Sequence, residues 1–260
     1  MKAKDKGPVT PQPRKVLVLP DIHCPVEDKL TLGAVEAYMK DFQPDELIYL
    51  GDLLDLNCIS AHNVTNLRAV EAQRLDKDFA AAREILVRHR KLLPSGAKVT
   101  YLEGNHEHRL ARYVDANPQT EGILDVERQL GLRDLKIRYI RSWSKGEVYR
   151  VGKAAFIHGV YVSPTHAKQH VEAYGENIFY GHVHSTESHA KTKHGDNKTS
   201  IAQSLGCLCK YDQSYMLGKP SRWQQAFGVF YFFPDGFFNY YVVSIFKHRF
   251  TAPNGVVYGG

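Results

Sequence analysis

The chain has 260 residues, enough for one large core or at most two small domains, and its 43% hydrophobic and 24% charged residues are those of an ordinary globular protein. No apolar run approaches the ~20 residues a membrane-spanning helix needs, and the basic start Met1–Gly7 has no apolar segment behind it, so no secretory signal is expected there. The net charge of +6 favours polyanionic partners, nucleic acid among them.

Residues 1–13 carry three prolines and several lysines without an apolar period, so a loose tail is expected before a single domain over 14–260. Lys15–Pro20 reads as a buried strand, and Leu32, Val35 and Met39 mark a first helix that ends before Pro44. Glu46–Leu50 is a second strand. A helical stretch follows from about Val64 to Leu93, closed by Pro94-Ser-Gly. Lys98–Leu102 is a third strand, and 107–130 reads as helix broken at Asn117-Pro118. Beyond residue 136 short strands predominate: 148–151, 154–157, 178–180, 227–233 and 240–246, the last two joined by a hairpin at Pro234-Asp-Gly236. Cys24, Cys58, Cys207 and Cys209 form no disulfide framework, so they are expected to be reduced thiols in a cytoplasmic protein.

Five of the predicted strands end in a polar cluster, at the edge where open α/β sheets present ligand-binding groups. These clusters are Asp21-Ile-His23, Gly51-Asp52-Leu-Leu-Asp55, Gly104-Asn105-His106-Glu107, His158-Gly159 and Gly181-His182-Val-His184. A lone Asp-x-His pair is weak evidence, whereas five such clusters in order are not incidental. Carboxylates, imidazoles and an amide oxygen make a mixed O/N donor set suited to Mn, Fe, Ni or Zn, with manganese the first expectation. There are donors enough for two divalent ions, which one carboxylate could bridge at about 3.5–4 Å separation. The glycines of Gly-Asp and Gly-Asn are expected to turn the backbone sharply off each strand.

This ordered set, spanning residues 21–184, resembles the calcineurin-like metallophosphoesterase superfamily. The resemblance implies a metallophosphoesterase-type α/β sandwich, two mixed β-sheets packed face to face and flanked by helices. It also implies that Asp21, His23, Asp52 and His184 hold one ion while Asp52, Asn105, His158 and His182 hold the other. His106 then matches the catalytic histidine beside the leaving oxygen, and Asp55 the carboxylate that orients it. Protein phosphatases of the superfamily follow the second motif with Arg-Gly, whereas Leu56-Asn57 stands here, closer to the phosphodiesterase and nuclease branches. The stretches Gly206–Cys209 and Arg222–Gly228 resemble metallophosphoesterases of bacteriophages and bacteria.

The activity so implied is hydrolysis of a phosphodiester, in DNA, RNA or a nucleotide, by a metal-bridging hydroxide, with His106 protonating the departing oxygen. A phosphomonoesterase acting on nucleotides or small metabolites is the alternative, and a nucleic-acid-binding module with structural metals is the alternative of another class. Further substrate contacts are expected from His108 and Arg109, one turn from His106, and from His62 in Ser60–Asn63, for which a surface loop is the plainer reading. They are also expected from Lys191, Lys193 and Lys198, in a loop after His184 taken to flank the cleft. His166 and His170 are expected at the surface or the substrate rim, and Cys207 and Cys209 in the core.

Overall fold

The computed structural model describes residues 12–63, 67–195, 198–211 and 221–260, without the side chains of His62, Leu67 and Ala69. Of the expected N-terminal tail, residues 1–11 therefore lie outside the described residues.

In chain order the elements are β1 (Arg14–Leu19), α1 (Lys29–Phe42), β2 (Glu46–Tyr49), α2 (Leu75–Leu92), β3 (Lys98–Leu102), α3 (Asn105–Ala116), α4 (Val126–Leu130), β4 (Ile137–Ile140) and α5 (Ser142–Lys145). They continue with β5 (Tyr149–Val151), β6 (Ala154–Phe156), α6 (His166–Tyr174), β7 (Asn177–Tyr180), β8 (Ser188–Lys193), β9 (Lys198–Ser204), β10 (Ala226–Phe232), β11 (Phe238–Ser244), β12 (Arg249–Thr251) and β13 (Val257–Gly259). One sheet has the order β11-β10-β1-β2-β3-β4, with β1 to β4 parallel and β10 and β11 antiparallel. The second has the order β5-β6-β7-β9-β8, with β6, β7 and β9 parallel.

Strand alternation builds the layers. Val16 and Val18 of β1, Ile48 of β2 and Phe230 of β10 face the second sheet, where Phe156 and Phe179 complete an inter-sheet core. Leu17, Leu19, Leu47, Tyr49, Val99 and Tyr101 point the other way, onto α1 and α2 through Val35, Met39, Ile85 and Leu86. The outer face of the second sheet, with Ala155, Ile178 and Tyr180, is closed by Ala167 and Val171 of α6. The result is a sandwich of two mixed sheets flanked by helices, as the sequence leads one to expect.

The departures are local. The helix expected from Val64 begins at Leu75, after a single tight turn at Leu67–Val70, and residues 64–66 lie outside the described residues. Of the stretch 191–198, expected as a loop, Lys191–Lys193 belong to β8 and Lys198 to its antiparallel partner β9, and residues 196 and 197 lie outside the described residues. Among the described residues no helix is long and apolar enough to cross a membrane.

Asp78, on α2, accepts the Leu56 amide at 3.0 Å and is buried. Burial first, and then the charge of Asp55, push its carboxyl up to about 7. Its folded value thus lies above the unfolded one, so the destabilisation is full above pH 7 and fades as pH falls towards 4. Asp78→Asn keeps a carbonyl oxygen for Leu56 and removes the charge. Its Tm is expected to exceed that of the parent at pH 8, by about 2–4 °C per kcal/mol recovered, with the two melts converging near pH 4. A gap of the same size at both pH values in thermal melts would contradict this origin.

Candidate metal centre

Each strand-end motif lies past the C-terminal end of a parallel strand, β1, β2, β3, β6 or β7, so the two sheets deliver their side chains to one edge. There the donor atoms of Asp21, His23, Asp52 and His184 all lie within 4.8 Å of one another, as do those of Asp52, His158 and His182. Asp52 belongs to both groups. Asn105 joins the second, its Oδ1 2.9 Å from His158 Nε2. All seven expected donors are therefore brought together.

The backbone that carries them is unusual. Asp21, His23, Asp52, His182 and His184 have φ between +42° and +68°, the left-handed region that Asp and His enter more readily than most residues. Five such residues at one edge mark a place where local strain is retained for side-chain direction. Gly51 does turn the chain, at φ +95°. Gly104, however, has φ −98°, and there the expected sharp turn gives way to a different reason for glycine. A Cβ at Gly104 would stand 2.1 Å from Asp52 Oδ1, and one at Gly181 2.1 Å from Asp21 Oδ2. Both glycines make room for a carboxylate.

The hydrogen-bond pattern shows what the cluster needs. His158 Nδ1 lies 2.7 Å from the Leu50 carbonyl, which can only accept, so this nitrogen carries a proton. Its Nε2 then faces Asn105 Oδ1 at 2.9 Å and Asp52 Oδ2 at 3.3 Å, and only a cation, a proton or a metal ion, satisfies both oxygens. His23 repeats the pattern. Its Nδ1 is 3.2 Å from Asp55 Oδ1, while Nε2 meets His184 Nε2 at 3.0 Å and stands 3.7 Å from Asp52 Oδ2. An imidazole held through Nδ1 with Nε2 turned to a site is the common geometry of a metal-ligating histidine.

Electrostatics agree. Burial works to raise the carboxyl of Asp21, but its bonds to His184 and His23 prevail and hold it well below the usual range. Asp52 is likewise held low, against burial, by His106 and His158. Burial lowers the His158 imidazole, yet the Asp52 charge carries it up to about 9. His182 is pushed down to about 3 by burial and by neighbouring His158, so it offers a free lone pair, as a metal ligand must. Ionised Asp21 and Asp52 converge in a buried pocket on the neutral imidazoles of His182 and His184, while the positive charge that Asp52 draws onto His158 stands where a divalent metal ion would supply it, a set that fits such an ion.

Around this set the structure places the other expected residues. His106 Nδ1 lies 2.7 Å from the Asp55 carbonyl oxygen and 3.4 Å from its Oδ1, so the backbone of Asp55 orients the ring more closely than its carboxylate, which is nearer His23. Arg109 donates to the Asp55 carbonyl at 3.0 Å and to His106 Nε2 at 2.8 Å. Among the described residues His108 has no bond into this network, and its buried Nδ1 has no hydrogen-bond partner. His62 lies in the turn Ala61–Asn63, its side chain outside the described residues.

Lys191, Lys193 and Lys198 do not flank the centre. β9 runs parallel to β7 with Ser204 level with Tyr180, so Lys198, six residues earlier, lies ~20 Å back along the strand from the metal edge. His166 and His170 are not at the surface either. Both are buried, His166 Nδ1 2.6 Å from Tyr180 Oη and His170 Nε2 accepting the Val160 amide at 3.1 Å. Cys207 and Cys209 are in the core as expected, and Cys209 Sγ also lies within 4.8 Å of donor nitrogens of His23 and His184.

Glu107, though quoted within a motif, had no role assigned to it from sequence. It is buried and accepts the amides of Asp52 (2.9 Å), Leu54 (3.0 Å) and Gly104 (2.8 Å), and the Tyr101 hydroxyl at 2.6 Å. Its carboxylate thus ties the Asp52 turn to the start of α3. The Glu three residues into a helix, after Gly104, was the available signal. Trp143 carried no expectation and Trp223 is more readily read from sequence as a buried Trp than as a base-stacking one; they pack on His182 (5.2 Å between ring centres) and His184 (4.2 Å).

No protein-family model matches the chain. In sequence it is similar to the Gene 54 protein of Mycobacterium phage D29, 24% identical over 226 residues that cover 83% of this chain and 88% of the phage protein. The Gene 54 protein of Mycobacterium phage L5 is also 24% identical, over 230 residues and with the same coverage. Among solved structures, wild-type Vps29 of Entamoeba histolytica complexed with Zn²⁺ matches over 94% of this chain and 95% of its own, at TM-score 0.43 and 14% identity. Chaetomium thermophilum Vps29 matches over 94% and 92%, at TM-score 0.44 and 12% identity. What the chain does is read from its own side chains.

Proposed function

We propose that the chain is a calcineurin-like metallophosphoesterase that hydrolyses phosphodiesters with two divalent metal ions, manganese foremost. The observation that carries this reading is the sharing of buried Asp52 by two donor groups drawn from five separate strand ends. One ion would be held by Asp21, His23, Asp52 and His184, the other by Asp52, Asn105, His158 and His182. When bound, such ions neutralise phosphoryl oxygens and make a water acidic enough to attack at neutral pH.

The remaining work falls to the chain. Arg109 stands beside His106, where its guanidinium can pass from the imidazole to a phosphate oxygen. His106, held through Nδ1, presents Nε2 to a departing oxygen. A purely structural metal site needs neither residue, which favours hydrolysis over a binding module.

A panel with added Mn²⁺ tests the proposal, using bis-p-nitrophenyl phosphate, p-nitrophenyl phosphate, a 2′,3′-cyclic nucleotide, and single- and double-stranded DNA. The diesters are expected to turn over and a chelator to stop them. Turnover of p-nitrophenyl phosphate alone would replace diesterase by monoesterase. No turnover of any ester by metal-loaded protein would overturn the hydrolase reading.

A further inference from the structure

The segment Leu208–Lys210 is clamped onto the loop that carries Asp21 and His23. Leu208 N–H donates to the Asp21 carbonyl at 3.0 Å, Asp28 N–H to the Leu208 carbonyl at 3.0 Å, and Lys210 N–H to the Val26 carbonyl at 3.1 Å. From the other side Gln225 Nε2 donates to the Cys209 carbonyl at 3.0 Å, and the Gln224 amide to the His184 carbonyl at 2.7 Å. The Cys209 thiol is thus fixed between the first and the last of the metal motifs, and its residue is buried. Leu208 joins the apolar core beneath α1 and α2, whereas Cys209 belongs to none of the three apolar clusters of the described residues. Its Sγ lies instead within 4.8 Å of donor nitrogens of His23 and His184. Zn–N bonds of about 2.0–2.1 Å and Zn–S bonds of about 2.3 Å set two donors of one ion about 3.5–4.4 Å apart, close to this spacing. His184 adds an independent sign of a ligand. It is buried, and its Nδ1 has no hydrogen-bond partner among the described residues, a costly state unless a bound group completes its surroundings. Cys207 is hydrogen-bonded to Cys209 and donates its own thiol to the Gln224 carbonyl at 3.8 Å, so it steadies the Cys209 sulfur.

From this we infer that Cys209 is a fifth ligand to the ion of the Asp21, His23, Asp52 and His184 group, and that its sulfur makes this position favour zinc over manganese more strongly than the other does. The inference rests on the two-ion reading above and divides the two positions by their chemistry. A thiolate is a soft donor that selects zinc, while Asp52, Asn105, His158 and His182 offer only oxygen and nitrogen. On coordination the thiol gives its proton to solvent, and the sulfur binds the ion as a thiolate.

Cobalt tests this directly, because a Co²⁺–thiolate bond absorbs strongly in the near ultraviolet and Co²⁺ held by oxygen and nitrogen alone does not. Chelator-treated full-length parent, Cys209→Ser and Cys207→Ser are each titrated with Co²⁺. The parent and Cys207→Ser are expected to develop the charge-transfer band, and Cys209→Ser to bind as much cobalt without it. Competition against a zinc-binding dye is expected to show one of the zinc ions held about 10–100-fold more weakly in Cys209→Ser, with manganese affected less. Cobalt bound by the parent at about two ions per chain with no band overturns the sulfur ligand and leaves the two-ion reading standing. A parent that binds no cobalt, zinc or manganese overturns both. A band that persists in Cys209→Ser and vanishes in Cys207→Ser overturns the assignment to Cys209. Should circular dichroism show Cys209→Ser misfolded, X-ray absorption of the zinc-loaded parent decides. A sulfur neighbour at about 2.3 Å upholds the ligand, and a shell of oxygen and nitrogen alone overturns it.

Discussion

Asp52→Asn is expected to lose bound metal and turnover together while the fold survives. Asp52 is buried, its Oδ1 accepts the His106 amide at 2.9 Å, and its Oδ2 stands 3.3 Å from His158 and 3.7 Å from both His23 and His106. Asparagine retains an oxygen for the His106 amide, so the turn after β2 keeps its bond to α3. What it cannot supply is the negative charge that two cations would share. Substitutions behind a metal ligand weaken metal binding by ~10–100-fold, and a shared ligand should exceed that. Elemental analysis after chelation and repletion, with a thermal melt as fold control, checks the result. About two ions per chain retained with normal turnover would remove Asp52 from the centre.

The reach of the sequence can be judged from particular residues. The strand-end donors were legible because each is within a few positions of a buried apolar strand, and parallel strands put their C-terminal ends on one edge. The β8–β9 hairpin was not legible. Ser188–Lys193 is a sheet-edge strand whose side chains are exposed on both faces but for a half-buried His189, so it lacks the apolar period that betrays a strand. His166 and His170 misled for the opposite reason. Spaced four apart and polar, they read as surface residues, yet Tyr180 and the Val160 amide satisfy them in the interior. The helix start was misplaced because Glu71–Arg74 has helix-forming composition, while the regular helix begins only at Leu75. The roles of Gly104 and Gly181 needed coordinates, since room for a carboxylate is a property of distant chain segments.

His106→Ala is expected to leave metal content unchanged and to slow esters with poor leaving groups by a factor on the order of 10²–10⁴. An activated nitrophenyl ester should lose less, because its departing oxygen needs little protonation. The geometry gives this expectation a particular form. The Asp55 carbonyl holds His106 Nδ1–H, and Arg109 donates to Nε2, so the imidazole here is the Nδ1–H tautomer with an occupied lone pair. A substrate oxygen can take a proton from Nε2 only after the guanidinium has moved aside, most simply onto a phosphoryl oxygen, and the lone pair so freed has itself taken up a proton from solvent. Arg109→Ala should therefore raise KM for every ester and leave the contrast between leaving groups in place, whereas His106→Ala should change that contrast itself. Steady-state kinetics on bis-p-nitrophenyl phosphate and on a diester with an alkoxide leaving group separate the two. Equal losses on both substrates in His106→Ala would show that its ring positions the phosphate and does not deliver the proton.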